Sequence, residues 1–189
     1  MRLIQRLFAT ALAAALVLAV VVAVLVLVTP GTSYSGPDDP GTIARVGGLD
    51  YRALDARMLH PTNLGDRRML RGAGSAGAGQ VWFGAFLTAE NPAREPLPMA
   101  RRFALRDVFQ RDHRPVPLAP GNPFAYRART VAPGAQSPGV DAVAQRDLAA
   151  EGGLLLFRVP RSAYEAGPLE LRIGDPAHPG EGGDLILGS

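Results

Sequence analysis

One apolar stretch, Leu7 to Val28, limits what this chain can fold into more than any other feature. It is 22 residues long, carries no charge and has Thr10 as its single polar side chain. A helix rising about 1.5 Å per residue would reach roughly 33 Å over this length, close to the ~30 Å hydrocarbon core of a bilayer. A lone strand would leave its backbone unpaired in lipid, so we predict a transmembrane helix.

The flanking charges predict the orientation of this helix. Arg2 and Arg6 precede it, whereas the first charges that follow it are acidic. The positive-inside bias therefore places the N-terminus in the cytoplasm and the chain from residue 29 onward outside the plasma membrane. A cleaved signal peptide is the alternative, but its apolar core covers only ~7–15 residues and ends at a small-residue cleavage site. We therefore expect an uncleaved, single-pass anchor in the lipid bilayer.

Small residues recur at every fourth position of the anchor. This spacing lets two membrane helices approach closely, so it predicts a weak self-association. A chance arrangement is the alternative, because alanine is abundant throughout the stretch. The residues concerned are Ala11, Ala15, Ala19 and Ala23.

The composition after the anchor is that of one exported domain. About 160 residues are enough for one hydrophobic core, and scattered proline and glycine suit short strands joined by turns. The chain has no cysteine, which excludes disulfides and thiolate metal sites. All 20 basic residues are arginine. They either form a surface for anionic polymers or lipid headgroups, or reflect codon usage in a GC-rich genome, which we favour.

The charge balance argues against nucleic acid as a partner. Without Arg2 and Arg6 the chain keeps 18 arginines against 17 acidic residues, so the exported part is nearly neutral. Nucleic-acid-binding domains need a clear excess of positive charge.

The residues after 42 predict an all-β domain. The best strand is Gln80 to Asn91, which is apolar on both faces as a central strand should be. Thr42 to Leu59 predicts one or two short strands with Gly47-Gly48 as a bulge or bend, or a helical turn near its end. Further strands are predicted at 102–106, at 111–118 on a sheet edge, at 153–159 and at 168–173. Side chains that we expect to be buried are Phe83, Phe103, Leu105, Leu156 and Phe157.

Two long segments are predicted as loops, and loops carry recognition where strands serve packing. The first, His60 to Gly79, holds a G-x-G-x-x-G match but lacks the strand and helix that a dinucleotide site needs around it. The second runs from Ala119 to Glu151 and contains aromatic and arginine residues typical of interface hot spots. Our candidate partner-binding residues are Phe124, Tyr126, Arg127 and Arg129. The alternative is that the two aromatic residues only cap the core.

Several short motifs follow one another in a recognisable order. An asparagine ends the long strand at Asn91, a Pro-Gly turn follows at 133–134, and the run Phe157-Arg158-Val159-Pro160 ends a later strand. In this the chain resembles the telokin-like, immunoglobulin-like extracellular domain of bacterial membrane proteins and lipoproteins, over roughly residues 43–173. It departs from that pattern at Gln110, where glycine is usual. The resemblance implies an adhesion-like or sensor-like β-sandwich module, and no reaction.

Catalytic and metal-binding patterns are weak in this sequence. No H-E-x-x-H, Walker or EF-hand pattern is present, and Asp112 and His113 are adjacent, which points them to opposite faces of a strand. We therefore expect no cofactor, no metal and no enzyme activity. The alternative function is an exported hydrolase with a site near Ser75 and the histidines, which would require three such groups to converge in one cleft.

These inferences together predict an N-terminal transmembrane α-helix followed by an all-β immunoglobulin-like sandwich. Its function would be to bind an envelope or membrane protein partner, or to serve as a structural module. The predicted boundaries are 1–6 for the cytoplasmic end, 7–28 for the anchor, 29–41 for a flexible stalk, 42–175 for the sandwich and 176–189 for a tail that contains at most one last strand.

Overall fold

The computed structural model describes residues 43–139, 142 and 152–187. Within these ranges no helix has both the length and the apolar character needed to cross a membrane. The predicted anchor, its four regularly spaced alanines and the predicted stalk all lie outside the described residues.

Antiparallel strands make up most of the described chain, with two short helices between them. In chain order the elements are β1 (Ile43–Val46), β2 (Leu49–Leu59), α1 (Leu64–Met69), β3 (Gln80–Glu90), β4 (Leu97–Pro98), β5 (Arg102–Arg106), β6 (Asp112–His113), β7 (Thr130–Val131), β8 (Gln136–Ser137), β9 (Gly153–Pro160), α2 (Arg161–Glu165), β10 (Leu169–Gly174) and β11 (Gly182–Leu187).

The longer strands form two sheets that face each other. The first sheet runs β1–β2–β3–β9, and β8 pairs with the end of β3 beyond β9. The second sheet runs β11–β10–β5–β6, while β4 and β7 form a separate short pair. Inward side chains from both sheets share one apolar core. The described part of the chain is therefore a β-sandwich with few helical residues, as the sequence predicted for this region.

Strand β3 is buried on both faces, which confirms the prediction that it is central. Phe83 and Leu87 point into the core between the sheets. Trp82 and Phe86 point the other way, into a second apolar cluster beneath helix α1. Because alternate side chains of a strand point to opposite faces, this one strand carries both cores.

A tight hairpin joins β1 to β2. Gly47 and Gly48 have φ angles of 57° and 80°, the left-handed values that a two-residue type I′ turn requires. The predicted bend is therefore a turn, and the bulge lies further on, between Ala53 and Asp55. The alternative of a helical turn near the end of this region is wrong, because β2 stays paired with β3 as far as Leu59.

The two sheets approach each other where β1 lies beside β11. A side chain at Gly183 would place its Cβ 2.9 Å from Val46 Cγ2 and 3.3 Å from Ala44 Cβ. Glycine at this position therefore lets the two edge strands pack closely. The sandwich extends to Leu187, so the predicted boundary at residue 175 is too early, and the last strand belongs to the fold.

Other predicted elements differ from the structure in length. The edge strand predicted at 111–118 is paired only at Asp112 and His113, because Pro115 crosses to the other sheet and bridges to Phe157. The loop predicted from His60 to Gly79 contains helix α1. Phe103 is half-buried, whereas the other four side chains predicted to be buried are inaccessible.

Asp175 ties the β10–β11 loop to the first hairpin. Its Oδ1 accepts hydrogen bonds from the backbone N–H groups of Ala177 and His178, at 2.7 and 2.9 Å, and its Oδ2 accepts one from Gly47 at 3.1 Å. The hydrogen bond from His178 and those from Ala177 and Gly47 outweigh the effect of burial and hold the pKa of Asp175 below its usual value.

We predict that Phe83→Ala lowers the free energy of unfolding by about 3–5 kcal/mol, because it leaves a cavity in the main core. Urea denaturation measures the change. Phe109→Ala is the matched control, since Phe109 is 53% exposed in the β5–β6 turn and should lose less than about 1 kcal/mol. Equal losses in both variants would contradict the register of β3.

We predict that Asp175→Asn destabilises the fold by about 1–3 kcal/mol at pH 7, because an amide offers one acceptor oxygen where the carboxylate offers two. Because the pKa of Asp175 is lower in the folded chain than in the unfolded chain, where it is near 3.8, its ionised carboxylate stabilises the fold at pH values above 3.8. This stabilisation is lost as the pH falls through the pKa of the folded state. The difference from the unmodified chain should therefore shrink between pH 7 and pH 3 in urea denaturation. The exposed control, Asp184→Asn, should change stability by under about 1 kcal/mol at pH 7.

Candidate functional site

The predicted loop residues Phe124 and Tyr126 lie against the cores. Phe124 is 1% exposed and belongs to the cluster beneath α1, with the Arg68 guanidinium 5.5 Å above its ring. Tyr126 is half-buried and meets Phe103 edge to face, with ring centroids 4.9 Å apart. Burial of these rings supports the capping alternative for the aromatic pair. Partner binding by this loop stays a prediction.

Two tyrosine hydroxyls hold the backbone of Ala100. The N–H of Ala100 donates to the Tyr51 hydroxyl at 2.7 Å, and the Tyr126 hydroxyl donates to the Ala100 carbonyl at 3.0 Å. Burial, followed by the nearby Tyr51, raises the pKa of Tyr126 far above its usual value. The loop is thus fixed to the chain segment just before β5.

Arg127 and Arg129 are exposed but bonded to neighbouring groups. Arg127 donates to the carbonyls of Pro120 and Asn122, so it stiffens its own loop. Arg129 donates from Nε to the Ser137 hydroxyl at 3.0 Å, next to strand β8. The two arginines therefore point to different neighbours.

An open cleft of about 320 Å³ lies beside this loop, and we call it the β9 cleft. Its floor is formed by residues 154–156 of β9. Its walls are formed by residues 115–118 on one side and by Ala125, Tyr126 and Ala128 on the other. Arg101 and Phe103 complete its lining, and Arg101 is exposed. None of the described lining residues is acidic, so the cleft is apolar with one positive charge.

Both walls of the cleft are bonded to the outer edge of β9. The N–H of Val116 donates to the Leu156 carbonyl at 2.7 Å. On the other side Tyr126 donates to the Leu154 carbonyl at 2.9 Å, and Leu154 donates to the Phe124 carbonyl at 2.7 Å. These bonds occupy the backbone groups that an added strand would use. A ligand in the cleft would therefore be recognised through its side chains.

The residues of the hydrolase alternative are not joined in the described part of the chain. Ser75 is exposed, and its hydroxyl accepts a hydrogen bond from Gly77 at 3.2 Å. His113 is 3.0 Å from Asp107, and His178 is 3.6 Å from Asp175. No hydrogen bond between described residues links Ser75 to a histidine, so the described residues form no serine–histidine pair.

Asp107 is used to build a turn. Its Oδ1 accepts the N–H groups of Phe109 and Arg111 at 2.9 and 3.0 Å, and its Oδ2 faces His113 Nε2. Burial alone would raise the pKa of Asp107, but the hydrogen bonds from Arg111, His113 and Phe109 lower it overall. These contacts shape the β5–β6 turn, where Gln110 adopts the left-handed φ of 62°. Among the described residues no group of three metal-ligating side chains occurs.

Sequence reasoning identified one wall of the cleft and missed the other residues. The composition of the loop predicts a role for Tyr126, whereas Pro117 is predicted only as part of an edge strand and the sequence analysis predicts no role for Arg101. The signal was present in the prolines at 115 and 117, which marked an edge segment. That this edge segment crosses from one sheet to the other depends on tertiary contacts, which the local sequence does not reveal.

No protein-family model matches the chain, and a search of curated proteins finds no match. Among solved structures, the crystal structure of the yjhA protein from Bacillus subtilis is similar over 79% of this chain and 96% of that one. The sequences are 12% identical and the TM-score is 0.44. A similarity of this level supports no statement about function.

We predict that Tyr126→Phe lowers the free energy of unfolding by about 1–3 kcal/mol, because the buried Ala100 carbonyl loses its donor. Because the pKa of Tyr126 is higher in the folded chain than in the unfolded chain, its neutral hydroxyl stabilises the fold fully below pH 10. This contribution is lost as the pH rises through the pKa of the folded state. Urea denaturation should therefore show the largest difference from the unmodified chain below pH 10. Arg94→Ala, at an exposed arginine outside this loop, is the control and should change stability by less than about 0.5 kcal/mol. An equal loss of stability in the two variants would contradict the capping role of Tyr126.

Proposed function

We propose that this chain is a membrane-anchored, extracytoplasmic binding module with an immunoglobulin-like sandwich of the telokin-like type. The anchor rests on the sequence of Leu7 to Val28 and its flanking charges. The sandwich agrees with the architecture that the resemblance implies. Partner binding rests on the β9 cleft, which is the observation that carries the proposal.

Two motif positions behind the resemblance, Asn91 and Gly134, bond to each other, which gives that part of the motif a physical role. Gly134 donates its N–H to the Asn91 carbonyl at 2.8 Å, and Asn91 donates its own N–H to Ala135 at 2.9 Å. The Asn91 side chain is fully buried and donates to the carbonyls of Glu95 and Val131. Asn91 therefore ties the segments 91–95 and 131–135 together at one end of the sandwich.

The chemistry of the β9 cleft defines the partner that it suits. Its volume of about 320 Å³ lies at the small end of the ~300–1,000 Å³ typical of ligand sites, enough for one or two side chains. Its apolar floor favours an aliphatic or aromatic side chain. Arg101 forms no ion pair with any described residue, so it favours a carboxylate beside that side chain. We therefore propose that the partner is an envelope protein segment with an apolar residue next to an acidic one.

Site-specific photocrosslinking in intact cells tests this proposal. The full chain carries a photoreactive phenylalanine analogue at position 117, an exposed residue of the cleft wall. We expect one discrete membrane-associated adduct whose crosslinked peptide contains an apolar and an acidic residue. Arg101→Glu in the same chain should lower its yield roughly tenfold, the equivalent of about 1.4 kcal/mol.

The control variant is Arg94→Glu, which makes the same charge change at an exposed arginine that does not line the cleft. It should leave the adduct unchanged, and urea denaturation should show that both variants fold normally. No adduct from position 117, or an equal loss in both variants, would refute recognition through the cleft.

A further inference from the structure

One side of helix α1 carries an exposed leucine beside arginines. Leu64, Arg67 and Arg68 are spaced i, i+3, i+4, which places them next to one another on a helical surface. Arg71 follows just beyond the helix end. Leu64 is 76% exposed, the highest value among the exposed large apolar residues in the described ranges. We call this set the α1 arginine face.

The arginines of this face line a shallow cavity of about 410 Å³. Its described lining contains three arginines and no acidic residue. The lining residues are Pro61, Arg67, Arg68, Leu70, Arg71 and Gly74.

The nearest acidic residue in the sequence is already neutralised within the fold. Asp66 is the single acidic residue between His60 and Gly79, and it is 3% exposed. Its Oδ1 lies 2.8 Å from Arg57 Nη1, and its Oδ2 accepts the N–H of His60 at 2.8 Å. This carboxylate therefore leaves the positive charges of Arg67 and Arg71 uncancelled.

The backbone beneath the face is held rigidly. Met69 and Leu70 are buried in the second apolar cluster, beneath α1, and the Asn122 side chain donates to the Met69 carbonyl at 2.8 Å. Arg67 donates from Nε to the Pro61 carbonyl at 3.3 Å, and its guanidinium carries four further N–H donors. The charges are thus presented from a fixed position, which limits the entropy lost on binding a ligand.

We propose that the α1 arginine face binds the phosphate groups of an anionic phospholipid surface, with Leu64 entering the headgroup layer. Guanidinium groups pair strongly with phosphate oxygens, and basic residues beside an exposed apolar side chain are typical of membrane-surface helices. A soluble phosphate offers the same oxygens, but it would not explain the exposed Leu64. This lipid contact is separate from the β9 cleft and from the spanning anchor.

The test uses an environment-sensitive fluorophore on the full chain. The chain has no cysteine, so Thr62→Cys gives a single labelling position beside α1 and leaves Leu64 in place. The labelled chain is reconstituted in phosphatidylcholine vesicles with and without phosphatidylglycerol. We expect a blue shift with the anionic lipid that is reversed by about 0.5 M salt, which screens surface charge. Arg67→Gln and Arg71→Gln should each lower the ratio of lipid-contacting to solvent-exposed label, measured from the blue shift, about fivefold.

The control label is Ser162→Cys on helix α2, which is also short and exposed but pairs its Arg161 with Glu165 at 3.6 Å. It should show no dependence on anionic lipid. Thermal unfolding should show that the two glutamine variants remain folded. An unchanged spectrum at position 62, an equal shift at position 162, or a shift that survives both substitutions would overturn the proposal. A response to inorganic phosphate in phosphatidylcholine vesicles, with none to phosphatidylglycerol, would instead identify a soluble-anion site and overturn the lipid assignment.

Discussion

The burial of strand β3 on both faces is the constraint on which the rest of the structure depends. Phe83 and its neighbours on one face need a second sheet, whereas Trp82 and Phe86 on the other need a separate cover. If these two large aromatic side chains were exposed, the fold would lose roughly 1.5–3 kcal/mol of hydrophobic stabilisation for each. Helix α1 and the segment around Phe124 supply that cover. The two proposed binding surfaces both lie on or beside it.

Buried polar side chains hold the long connections in place, a role that disulfides have in many small domains. The chain has no cysteine, yet several long connections must keep one conformation. Each is held by one buried side chain that makes two or more hydrogen bonds, at least one of them to a backbone group. Because these groups sit where water is excluded, breaking such bonds costs more than on the surface. The side chains concerned are Asp66, Asn91, Asp107, Asn122 and Asp175.

The strands were predictable because their signals are local. The apolar alternation of β10 and the doubly apolar faces of β3 are visible in a few consecutive residues. Helix α1 was missed, although Asn63 caps it by accepting the N–H groups of Gly65 and Asp66. A helix of six residues is unstable alone, and its apolar side is defined by Trp82 and Phe86, which lie later in the chain. The β9 cleft was missed for the same reason, because two segments distant in sequence form its walls.

The position of the arginines separates the two explanations of their abundance. Codon usage is our expectation for the presence of arginine in place of lysine. Three strand arginines, Arg45, Arg106 and Arg172, each pair with a carboxylate on a neighbouring strand. Such exposed pairs contribute at most about 1 kcal/mol each, so they explain neither the fold nor a site. Arg101 and Arg71 differ, because each lines a concave surface without an acidic residue in its described lining. A nearly neutral domain can therefore present two local positive surfaces, since attraction of a ligand depends on charge within about 10 Å.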